Sequence, residues 1–121
     1  MPRTDPVPKT PIGALGELLS LVIDAIALAE KGLEKNPSKE DERQLNETLN
    51  DLEIKRGEIQ AKLNAMIAQT RQVADPTQAQ VAQISQLTAQ VGAQTNASVT
   101  ASAAVALTSR VLALATEVAA G

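Results

Sequence analysis

Apolar residues recur along this chain at helical spacing, and the clearest run lies in its middle. From Leu45 a seam steps alternately by four and three residues through Leu49, Leu52, Arg56, Ile59, Leu63, Met66, Thr70 and Val73. Only Arg56 and Thr70 interrupt it, which is the heptad signature of a coiled-coil-like helix. Its start is marked by Ser38, with Asp41 three residues on as a weak capping box. Acid precedes base four residues apart at Asp51–Lys55 and Glu58–Lys62, the order that supports a solvated helical face.

Upstream, residues 12–29 are apolar or small apart from a narrow stripe at Glu17, Ser20 and Asp24 that continues to Lys31. A helix with so thin a polar stripe is covered on most sides. It can begin near Pro11, which suits a first helical turn, and run to about Lys35, where Asn36-Pro37 stops it. Four prolines within residues 1–11 predict a disordered or extended arm there, leaving residues 12–121 as one helical-bundle domain.

Downstream, Asp75 can cap a third helix with Pro76 at its first position, running to about Ala119. Ile84, Val91, Val105 and Leu112 keep one heptad phase, interrupted by Ser98, and a second apolar line appears at Leu107, Val111, Leu114 and Val118. The stretch Gly92 to Ser98 is the weakest helix former along it, so the segment reads as one kinked helix or as two. The expected fold is therefore all-α, an antiparallel bundle of three long helices with a break admitted near 92–98. At about 1.5 Å per residue these would span roughly 36, 54 and 65 Å, and short loops would make neighbours antiparallel. The first helix would then cover one end, leaving Arg56 to Val91 as a projecting two-stranded, coiled-coil-like hairpin with Asp75-Pro76 at its tip.

Composition sharpens this picture. Phe, Trp, Tyr, His and Cys are all absent, so any core is built from Leu, Ile, Val, Ala and Met. Such side chains fill the seams between helices, whereas ligand pockets more often use rings. The formal net charge of −3 and the missing aromatic platforms argue against nucleic acid as a partner. Leu18–Ala29 and Val99–Thr116 are apolar enough to resemble a signal and a membrane segment respectively. The charges at Glu17, Asp24 and Arg110 favour buried helices instead. No clear cleavable signal emerges, and the compartment, cytoplasmic or exported, stays open.

Candidate chemistry is sparse. Without histidine or cysteine there is no imidazole base, thiolate nucleophile or thiolate metal site. Glu40-Asp41-Glu42 is the densest carboxylate group, but adjacent helical residues diverge, and acids in a first turn suit the helix dipole. Asn96-Ala97-Ser98 matches the glycosylation sequon, a pattern too short and common to mark a site by itself. The sequence predicts no catalytic residues, no cofactor and no metal.

One feature stands apart. From Thr77 to Ser109 there is no charged residue, although six glutamines lie between Gln78 and Gln94. A solvated helix normally carries both signs of charge, so this surface is expected to meet another chain, a second copy or a different protein. The candidate interface residues are Gln83, Ile84, Leu87, Gln90, Val91 and Gln94, with Ile54 and Arg56 on the preceding helix. Arg56 reads either as a stem laid along the seam or as a polar residue that selects register or partner. The expected role is a non-enzymatic interaction or self-assembly module, with homo-oligomers among its forms. The alternative is a membrane-active helical protein, pore-forming or lipid-binding.

Overall fold

A computed structural model describes residues 10–69, 75–95 and 99–120, and these form four helices with no strand among them. Helix α1 spans Pro11–Leu33, α2 Lys39–Ala68, α3 Gln78–Thr95 and α4 Ala101–Ala120. The proline-rich arm before Thr10, and Thr70 and Val73 of the expected second seam, lie outside the described residues.

Each helix starts on a side-chain cap. Thr10 accepts from the Gly13 amide at 3.0 Å ahead of Pro11, and Ser38 accepts from the Asp41 amide at 3.1 Å. Helix α3 opens two residues later than Asp75 would place it. Thr77 accepts from the Gln80 amide at 3.1 Å while its own amide donates to Gln80 Oε1 at 2.9 Å, a complete capping box. Thr100 starts α4, its hydroxyl accepting from the Ala103 amide at 3.1 Å. Between α1 and α2 the chain turns through Asn36 in the left-handed region (φ 51°), and α2 ends at Gln69 in the same region (φ 55°).

The expected third helix is thus two, and this overturns the three-helix count and the projecting hairpin. Helix α1 packs against each of the other three, α4 does likewise, and α2 and α3 lie on opposite sides without packing on one another. Gly32 of α1 meets Leu45 near the start of α2 and Ala104 near the start of α4. Lys62 of α2 reaches Val118 of α4, so α2 and α4 run in the same direction and α1 opposes both. Gln80 at the start of α3 bonds Glu117 at the end of α4, so α3 also runs against α4. The result is a rhomboid four-helix bundle with alternating helix directions and the α1–α4 pair on its short diagonal.

The core is aliphatic throughout. Leu15, Leu18, Val22 and Leu28 of α1 are fully buried, as are Leu45, Leu52 and Ile59 of α2, Ile84 and Val91 of α3, and Val111 of α4. In α4 the second apolar line, Leu107 to Val118, supplies the buried face, and Val105 and Leu112 of the first line are half-buried at its flank. In α2 the buried centre is shifted from the expected seam. Leu49, Leu63 and Met66 are half-buried and Arg56 is exposed, while Thr48, Lys55 and Lys62 interleave with Leu45, Leu52 and Ile59. Helix α2 faces two neighbours at once, so its inner surface is broader than a coiled-coil seam and is centred between them.

Candidate interaction surface

The eight residues singled out as an interface do not form one surface. Ile84 and Val91 are fully buried and Leu87 nearly so, part of the core that α3 shares with α1 and α4. They hold α3 in place instead of facing a partner. Ile54, 51% exposed, and Arg56 sit on α2, which does not touch α3, so neither joins the glutamines. The other three do come together. Gln83 and Gln90 are exposed and Gln94 half-buried along the edge of α3 that borders α4.

Two adjoining clefts run between these helices. One, of about 280 Å³, is walled by Gln83, Gln86 and Gln90 of α3 and by Arg110, Ala113 and Glu117 of α4, with Leu87 and Leu114 at its base. The next, of about 330 Å³, continues through Gln90, Ala93 and Gln94 opposite Ala103, Ala106 and Arg110. They share Gln90 and Arg110 and so make one groove along much of both helices. Its floor is apolar, its α3 wall consists of neutral amides and alanine, and its charges come from α4 alone.

The outer side of α3 is as bare of charge as the sequence indicated. Ala79, Ala82, Ser85, Gln86, Ala89 and Ala93 are exposed there, none able to form an ion pair. Arg110 is the first charged residue after Asp75 and is exposed beside the groove, with no hydrogen bond or ion pair among the described residues. Glu117 accepts from Gln80 Nε2 at 3.2 Å, tying the start of α3 to the end of α4.

Charge elsewhere serves the helices themselves. Arg43 pairs with Glu40 one turn back and with Glu47 one turn ahead, the latter at 2.9 Å. Hydrogen bonds from Arg43 and then Gln44 hold the Glu40 carboxyl below the usual glutamate range, and the same acids raise Arg43. Lys55 bonds Glu58 three residues on, at 3.0 Å, in place of Asp51. Lys62 turns inward to the Val118 carbonyl in place of Glu58. Among the described residues no group of acidic side chains is placed to hold a metal ion, and no buried side-chain polar atom lacks a partner.

No protein-family model matches the chain, and no curated protein or solved structure matches it significantly.

Proposed function

We propose that this chain is a non-enzymatic helical module that assembles with another protein chain through the α3–α4 face. The observation that carries this is the juxtaposition of an exposed, wholly uncharged α3 surface with an apolar-floored groove against α4. An uncharged helical face loses little by desolvation, because there are few strong hydration shells to strip. A groove between two helices takes a third helix in the ordinary way of helical recognition. The four-helix bundle supplies the rigid support, and glutamine amides at the rim supply hydrogen bonds to fix orientation.

Solution mass by light scattering across a range of concentrations tests this. A dimer or larger species that Ala89→Glu or Gln86→Glu returns to monomer supports assembly through this face. A monomer at every concentration removes self-assembly from the reading.

A second reading has its own observation. Helices Pro11–Leu33 and Ala101–Ala120 are long and apolar enough to cross a membrane by length and composition. They also pack together in opposite directions as the short diagonal of the bundle. A membrane-active protein would release this pair from α2 and α3 at a lipid surface. Against it, half of the apolar window of α1 is buried inside the bundle, the condition of a core helix. Leakage from dye-loaded vesicles at neutral or acid pH would favour the membrane reading, and its absence together with a stable oligomer would sink it.

A further inference from the structure

We infer that a second copy pairs with this face, its α4 laid antiparallel on α4 across a two-fold axis near Ala113. The inference rests on the assembly reading above and specifies its partner and register. Along one line of α4, exposed residues step by four and three, Ala106, Arg110, Ala113, Glu117 and Ala120, with the small exposed residues Ser109 and Thr116 beside it. The series is symmetric in spacing about its middle and antisymmetric in charge, with alanine at its centre and ends and a cation and an anion between. A two-fold interface brings the same patch of each copy together, so residue i meets j and j meets i. Only an antiparallel pairing of this stripe sets unlike charges against each other. Arg110 then lies within one helical turn of the partner subunit's Glu117, and Glu117 likewise beside the partner's Arg110. A parallel pairing would set Arg110 against its own copy and Glu117 against its own copy, which charge repulsion opposes.

Size agrees with charge. The alanines let the two α4 backbones approach to the short end of the usual range, about 8 Å. Gln83, Gln86 and Gln90 of α3, which stand beside Arg110 and Glu117, flank the α4 pair. This accounts for the charge pattern: α3, at the flank of the pair, carries no charge, whereas α4 carries one of each sign. Arg110 has no partner among the described residues, and the Glu117 carboxylate, bonded once to Gln80, retains lone pairs for another donor.

The test is charge reversal read by light scattering or sedimentation, with circular dichroism to verify folding. Arg110→Glu and Glu117→Arg each place like charges opposite one another and are expected to weaken the dimer about tenfold or more. The double variant Arg110→Glu with Glu117→Arg restores unlike pairs and is expected to recover most of the lost affinity. Because the chain has no cysteine, single cysteines report geometry without background. Spin labels at Ala113→Cys should lie within about 20 Å of each other, and labels at Ser102→Cys about 35 Å apart, from the rise of an antiparallel helix pair. A wild-type chain that is monomeric at all concentrations overturns this pairing and leaves only assembly with a different protein. A dimer indifferent to either reversal, or with short distances at both labels, overturns the register alone and leaves assembly standing.

Discussion

The ammonium of Lys62 donates to the backbone carbonyl of Val118 at 2.7 Å, joining two helices whose residues lie 56 positions apart. Val118 sits in the last turn of α4, where carbonyls have no intrahelical donor and carry the negative end of the helix dipole. Helix α4 has no basic residue in its own last turn, so the cation comes from α2. Lys62 is 4% exposed, so its stem packs in the core while its head satisfies a helix terminus. Lys62→Ala removes both and is expected to cost about 2–4 kcal/mol. Lys62→Met keeps the stem and removes a buried charge along with its bond, so it should cost less, about 1–2 kcal/mol. Urea unfolding of the two variants measures the difference; equal losses would mean that packing contributes nothing beyond the hydrogen bond.

Gly32 marks the point of closest approach among α1, α2 and α4. A Cβ placed there would lie 2.7 Å from the Ala104 Cβ and 3.2 Å from Leu45 Cδ1. Gly32→Ala gains up to about 1 kcal/mol of helix propensity, but the clash requires backbone movement and outweighs it. The expected net result is destabilisation of about 1–2 kcal/mol. Ala104→Gly in the same chain opens the space and should recover part of the loss, a positive coupling that a double-mutant cycle reads directly.

Much of this architecture is legible in the sequence, and the failures are instructive. Pro11 and Ser38 mark helix starts because a fixed φ and a capping hydroxyl are local devices, independent of the rest of the fold. Gly92 to Ser98 shows as the weak stretch for the same reason. The start at Thr100 does not, because Thr-Ala-Ser-Ala offers the cap hydroxyl without the acid or amide that completes a capping box. With the third segment taken as one rod, length alone placed it beside α2. Once it is two helices, α3 folds back along α4 and α2 loses that neighbour. The inner face of α2 departs from the heptad seam, because hydropathy draws that seam through Leu49, Leu63 and Met66 over Thr48, Lys55 and Lys62. Lysine stems cover apolar surface well when their heads find Glu58 or a helix terminus, and no one-residue scale records that. Of the interface residues, Gln83 and Gln90 are exposed and Gln94 is half-buried. Ile84, Leu87 and Val91 are buried, because they share the face of α3 that packs on α1 and α4, whereas Ile54 is exposed on α2.

Helix α4 starts on the Thr100 cap. Its hydroxyl and its carbonyl accept from the Ala103 and Ala104 amides, two donors with no partner earlier in their own helix. Thr100→Ala is expected to lower stability by about 1 kcal/mol, with Thr100→Ser and Thr100→Asp close to the parent. Thermal unfolding followed by circular dichroism ranks the three. A neutral Thr100→Ala would show that packing of Val99 and Ala104, both buried, fixes the start of α4 without the cap.

The acid side of the stability profile follows from Glu40. Hydrogen bonds from Arg43 and Gln44 depress its carboxyl in the folded chain relative to the ordinary value of 4.5. A depressed carboxyl binds its proton more readily in the unfolded chain, so its contribution is present above the unfolded value and disappears as pH falls through the folded one. The loss therefore begins as pH drops through the ordinary glutamate range and is complete only below it. Glu40 is fully exposed, so solvent and salt screen the pair and the effect is small. Glu40→Gln keeps an acceptor for Arg43 but removes the titrating charge. Comparing its unfolding midpoint with the parent from pH 6 to pH 3 should show a gap that narrows with acid and closes at the low end. A gap that is constant with pH would assign the difference to the hydrogen bonds alone, with no part for the carboxylate charge.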